Sequence, residues 1–211
     1  TNEPLPARAL GGPAFSLKTL RPGEDPREAL FAWMRSSDNP FFARAFANRV
    51  WGHYFGVGIV HPVDDFSLAN PPSNPKLLDV LAGSFIENEY DVRRLERAIL
   101  NSRTYQLAAA TNAGNRHDRT NYSHSYVRPL MAEVVVDVLN TALGVTEKDF
   151  GPETARGCRA IEVGSSRLQN ASVAYAFRIF GRPPRTSACD CERASEPGLP
   201  QKLFLIADPT L

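Results

Sequence analysis

Ionisable side chains of chemical interest fall in three places along the chain. After an aromatic-rich stretch come His53, His61, Asp64 and Asp65, with Arg49 one helical turn before His53. Imidazole and carboxylate groups from a helix end and the loop behind it are the donors that converge on a cation. The spacing matches no defined metal motif, and there is no H-E-x-x-H. Asp64 and Asp65 are equally suited to accepting turn amides or pairing with Arg49. Glu133 and Asp137 lie four residues apart, on one face of a helix, where two carboxylates repel and one retains a proton as a general acid. Such a pair also selects arginines, and Arg103 and Arg128 are the candidates for salt bridging. The third place is Cys189-Asp190-Cys191. Its two thiols suit a strained redox disulfide or a pair of thiolate ligands, and a buried or unpartnered state is the plainer reading. A zinc site needs two further ligands, of which Cys158 supplies at most one.

Whole mechanistic classes are missing their signatures. The sequence contains no C-x-x-C-H for haem attachment, no G-x-S-x-G and no glycine-rich phosphate loop. Twenty-four Lys and Arg against 23 Asp and Glu leave a formal charge of +1, which provides no electrostatic pull toward nucleic acid or an anionic membrane. No run approaches the roughly 20 apolar residues of a bilayer span, and the first residues lack the basic-then-apolar order of a secretory leader. With 43% hydrophobic residues in 211, a core can form without metal or disulfide staples. The odd number of cysteines, three, means that at least one is free, metal-bound or paired outside the chain.

The elements that must hold these residues are helices. Asn39 and Pro40 open one that runs to about Phe55, where Gly56 takes the left-handed stop; its stripe of Phe42, Phe46, Val50 and Tyr54, with Trp51 and Phe55 beside it, is expected to be core. Asn74 and Pro75 open a second, with Leu77, Leu78, Leu81, Phe85 and Ile86 along one side. Asp91 caps a third, with Val92, Leu95, Ile99 and Leu100 inward, and the two should form a hairpin. Further helices are expected from Pro26 after Asp25, from Ala132 to Leu143 before Gly144, and from Pro197 to Ala207 with Leu199, Leu203 and Ile206 on one face. Alternation at Ile161 and Val163, then at Val173, Tyr175, Phe177 and Ile179, predicts one or two short strands within 150–187. A polar stretch from Thr111 to Ser125 reads as an exposed loop that divides two subdomains. The expectation is therefore a mainly α, irregular multi-helix domain with helical hairpins. It reads as one partial domain over 1–211, continuing beyond both ends.

Ordered blocks along the chain resemble a known family. Asn39-Pro40-Phe41-Phe42-Ala43-Arg44, Asn48-Arg49-Val50-Trp51, Phe55-Gly56-Val57-Gly58, Asp64-Asp65-Phe66, Asn70-Pro71-Pro72-Ser73 and Leu77-Leu78-Asp79 are followed by Ser102-Arg103-Thr104-Tyr105, Ala132-Glu133 with Asp137, and Cys189-Asp190-Cys191-Glu192-Arg193. Together they resemble a planctomycete-specific domain of unknown function (DUF1553, the PSD1 family), found toward the C-terminus of large proteins that often carry a cytochrome c-like domain. The resemblance implies an exported protein of the periplasm or cell surface. Its partners would be other domains of the same polypeptide, and haem c would sit on one of those, with no cofactor in this segment. The leading expectation is an accessory or substrate-facing part of a cytochrome c-linked extracytoplasmic redox protein. In it Arg49 and Arg103 would hold an anionic group while Glu133 or Asp137, with Asp64 and Asp65 nearby, moves a proton. The alternatives are a non-catalytic interaction or surface-assembly module, and a metal- or thiol-dependent hydrolase of an extracellular polymer that uses Cys189 and Cys191.

Overall fold

The structure, a computed structural model, describes residues 7–8, 12, 14–15, 21, 23–145, 150–151, 154–155, 157–164, 171–183 and 198–207. Its architecture is mainly α, with seven helices and one minimal strand pair among the described residues. The pair is β1 (Ala7–Arg8) against β2 (Ala14–Phe15), antiparallel, with Ala7 opposite Phe15. The chain divides into two compact units, Thr1–Val127 and Arg128–Leu211.

The first unit holds α1 (Pro26–Met34), α2 (Phe42–Phe55), α3 (Pro75–Glu87) and α4 (Val92–Leu100). Their starts are chemical. Asp25 accepts from the Arg27 amide, Asn74 from the Leu77 amide and Asp91 from the Arg94 amide, each satisfying a donor that the first helical turn leaves open. Asn39 accepts from the amides of Phe41 and Phe42 at 2.8 and 2.9 Å, so it caps α2 even though regular helix begins two residues later than Pro40. Gly56 ends α2 at φ 80°, as the sequence predicts, with its N–H on the Gly52 carbonyl.

The expected face of α2 needs correction. Its buried row is Ala43, Ala47, Trp51 and Phe55, while Phe46, Val50 and Tyr54 are only partly buried. Two alanines on the inner row let α3 approach closely, and Phe46 then stacks on Phe85 with ring centroids 5.0 Å apart. From α3 the core receives Leu78, Leu81, Ala82 and Phe85, and from α4 Leu95 and Ile99. The α3–α4 hairpin forms as the caps predict. Its tight turn places Glu89 and Tyr90 at positive φ, and the Tyr90 hydroxyl donates to the Arg35 carbonyl.

The second unit holds α5 (Ala132–Ala142), a 3-10 turn (Ala160–Glu162), α6 (Ala171–Ile179) and α7 (Leu199–Ala207). Its core is Ala132, Val136, Phe150, Ala160, Val163, Ala176, Phe177 and Phe204. Among the described residues of 150–187 the expected strands are not found: Ile161 lies in the 3-10 turn, and Val173 to Ile179 is helix. The alternation misleads because Val173, Ala176, Phe177 and Phe180 also form a 3.6-residue stripe, and that stripe packs on the core. In α7 the inward residue is Phe204, so the predicted Leu199, Leu203 and Ile206 face points away from the core.

Candidate functional site

In the first unit the end of α2 organises the loop behind it. Asn48 is fully buried, and its amide donates to the carbonyls of Val60 and Val63, both at 2.9 Å, while its oxygen accepts from the Val60 N–H at 2.9 Å. One side chain thus satisfies three backbone groups of a loop that has no ladder of its own. Gly58 is required beneath it: a Cβ there would lie 2.3 Å from the Val60 oxygen and 3.0 Å from the Asn48 amide nitrogen. One residue along the helix, Arg49 reaches Asp64 at 2.5 Å with both side chains half-exposed. Asp65 accepts from the Ser67 amide at 3.1 Å, closing a turn. Asp64 and Asp65 therefore pair with Arg49 and hold a turn, respectively. His53 and His61 are exposed, and no group of three or more metal-ligating side chains gathers among the described residues. Arg103 is exposed in the turn after α4 and makes no ion pair among the described residues.

A long ordered loop returns to the same helix. Tyr122, at φ 54°, packs edge-on against the stacked rings of Trp51 and Phe55, with ring centroids 5.3 Å from each, and its hydroxyl donates to the Val57 carbonyl at 3.1 Å. Burial pushes its phenol up to about 12. The loop is shaped by Asp118, whose carboxylate accepts from the amides of Thr120, Asn121 and Ser123 and from the Ser123 hydroxyl. The Ser123 hydroxyl first, and the amides with it, hold the acid well below the usual carboxylate range.

In the second unit Glu133 and Asp137 share α5 but serve different partners. Glu133, 3% exposed, faces the guanidinium of Arg182, 6% exposed, at 3.2 Å. Arg182 lies over the Phe177 ring at 4.3 Å and donates to the Val163 carbonyl. A helix, the chain after α6 and the chain after the 3-10 turn are so tied through one buried charge pair. Asp137 accepts from the amides of Ala160 and Ile161 at 2.7 and 3.4 Å and holds the start of the 3-10 turn. Beside it, α5 and that turn leave an open, mostly apolar groove of about 540 Å³, formed by Met131, Val134, Val138, Ala142 and Ile161, with Asp137, Thr141 and Arg159 at its polar edges.

Of the residues singled out from sequence, Arg49 and Asp64 meet directly with Asp65 next in the chain. Glu133 and Asp137 stand on one helix of the other unit. Cys189 and Cys191 lie outside the described residues, and Cys158 is a free thiol. Sequence reasoning missed the partner of Glu133. Arg182 is 49 positions away, and no local pattern marks it. It also missed the clamp of Asn48 and the hub of Asp118. The second had a signal in the Asp118-x-Thr120 spacing of a side-chain turn.

A mainly helical domain of two units, its carboxylates engaged by arginines and backbone amides, is the class of protein this geometry defines. The family follows from comparison: residues 26–211 match PSD1, described as a protein of unknown function (DUF1553), and the chain belongs to that family. No curated protein and no solved structure matches it.

Proposed function

We propose that this domain is a non-catalytic interaction or assembly module of a larger exported protein. Its role is to dock other domains of the same polypeptide, a haem c domain among them. The observation that supports this is the groove on α5. An apolar surface faces outward there, while the nearby ionisable groups are occupied in holding the unit together. Contiguous exposed apolar surface marks interaction sites. A protein of the periplasm or cell surface that passes electrons from one domain to another needs such a scaffold. The accessory role in a cytochrome c-linked redox protein, implied by the family blocks, fits within this reading.

Hydrogen exchange of the full-length protein, compared with the 211-residue segment, tests it. Amides of residues 131–142 and 159–163 should exchange more slowly in the full-length protein. Equal exchange in the two would remove the reading.

A further inference from the structure

The formal charge of +1 conceals an uneven distribution within the first unit. Residues 24–91 carry ten acidic and five basic side chains, whereas residues 92–127 carry six arginines, no lysine and only Glu96 and Asp118 as acids. Arg93 and Arg94 stand in the first turn of α4 beside Asp91 and close behind Glu87 and Glu89, which offset them. The other four, Arg97, Arg103, Arg116 and Arg119, are exposed, and none forms an ion pair among the described residues.

The fold brings the elements that carry these four to one end of α2. Glu96, next to Arg97, accepts from the Tyr54 hydroxyl at 3.0 Å. Tyr105, two residues after Arg103, packs edge-on to Tyr54 and Phe55 with ring centroids 6.1 and 5.8 Å away. Tyr122, three residues after Arg119, meets the same Phe55 ring at 5.3 Å, and the Ser125 N–H donates to the Ala108 carbonyl at 3.0 Å, so the long loop lies back on the turn after α4. Both carboxylates of the stretch are engaged inside the chain, Glu96 by Tyr54 and Asp118 by the amides and hydroxyl of its own loop. Asp64 and Asp65 belong to the loop that Asn48 clamps, on the other flank of α2, since six residues of helix set Asn48 and Tyr54 about 120° apart.

Arg103, Tyr105 and Leu107 alternate along the turn after α4, and Tyr105 and Leu107 are 38 and 40% exposed. Arginine and tyrosine are enriched at protein interfaces and among their strongest contacts, whereas lysine and the acids are depleted there. A guanidinium takes a carboxylate through two parallel hydrogen bonds. A nucleic acid or other polyanion is gathered by long-range charge, which a chain of net +1 does not supply. We propose that this face of the first unit docks an acidic protein surface, with Arg97, Arg103, Arg116 and Arg119 pairing to its carboxylates around an apolar contact on Tyr105 and Leu107. The inference stands on the first unit alone, so the exchange test of the α5 groove can fail without removing it.

The anisotropy of a fluorescein-labelled peptide of alternating Glu and Ala, titrated with the 211-residue chain at low ionic strength, tests it. The wild type should bind the peptide saturably. Arg103→Glu and Arg119→Glu should each raise the dissociation constant at least ~10-fold, because a like charge then faces the carboxylates. Arg27→Glu changes the net charge by the same amount on α1, where Arg27 pairs with Asp25, and should leave binding within about twofold, its charge being screened at a distance. Tyr105→Ser should weaken binding at least ~10-fold at unchanged charge. All four positions are exposed, and far-UV melting curves check that each variant is folded. If Tyr105→Ser is not, Leu107→Ser takes its place.

Two further probes of the same charge as the peptide, an oligothymidylate and an oligogalacturonate, decide the class of partner. Both should bind more weakly than the peptide. No saturable peptide binding, equal losses from Arg27→Glu and Arg103→Glu, or no loss from the Tyr105 or Leu107 change would overturn the inference. Equal or tighter binding of either further probe would overturn it as well, the first reassigning the face to a nucleic acid and the second to an acidic polysaccharide.

Discussion

Replacing Arg182 by methionine removes the guanidinium from the buried pair and keeps an unbranched side chain over Phe177. The Glu133 carboxylate, 3% exposed and 3.2 Å from its partner, is then left without that charge in the interior. Removing one member of a buried ion pair costs about 3–5 kcal/mol, far more than an exposed pair is worth. Against the roughly 5–15 kcal/mol that holds a domain folded, that is a large share. Urea denaturation followed by far-UV circular dichroism should show the loss as a lower midpoint. The double variant Glu133→Leu with Arg182→Met removes both charges together and should recover most of the loss, since an apolar replacement of comparable size is often neutral. The reasoning fails if Arg182→Met lies within about 0.5 kcal/mol of wild type, the range of ordinary surface substitutions, or if the two single effects simply add in the double variant. Either result would mean that the pair does not hold the unit together.

Asn48→Leu keeps the volume but abandons the Val60 N–H and two carbonyls; at about 1–3 kcal/mol for each unsatisfied buried group, a loss of at least ~3 kcal/mol is expected, read from the emission of Trp51 during denaturation in a Trp33→Phe background. Arg49→Ala, by contrast, should cost less than about 1 kcal/mol, because its pair with Asp64 is half in solvent; a larger loss in the same assay would contradict that placement. Asp118 predicts an acid dependence. Its folded pKa is lowered from the ordinary 3.8, so its contribution is fully present above that value and fades as pH falls below about 4, the unfolded carboxylate range. Melting temperatures measured from pH 6 down to pH 2 should drop less steeply for Asp118→Ala than for wild type, and parallel curves would dismiss the Asp118 hub.

Except for α6, helix positions were legible because they are written in short stretches of chain. The caps Asp25, Asn74 and Asp91, the stop at Gly56 and the helix from Ala132 follow from residues within one turn of where they act, as does the α3–α4 hairpin. Helix faces were less so. Small residues decided them: Ala43 and Ala47 give α2 an inner row that a count of large apolar side chains passes over, and Ala176 completes the stripe that makes Val173 to Ile179 helix instead of strand. Arg49 with Asp64 could be proposed from sequence because only 15 positions separate them and a helix end points one at the other.

What the sequence by itself determined about this protein is its helical class, its caps and the family to which it belongs, all encoded in local spacing or in ordered local blocks. Which partner each ionisable group takes was decided only by tertiary structure. Glu133 and Asp137 repel on paper as neighbours on one helix. Folding gives the first the guanidinium of Arg182, 49 positions further along the chain, and the second the amides of Ala160 and Ile161, 23 and 24 positions further. A carboxylate's role depends on what surrounds it within a few ångströms, and the chain brings those atoms together only when it packs.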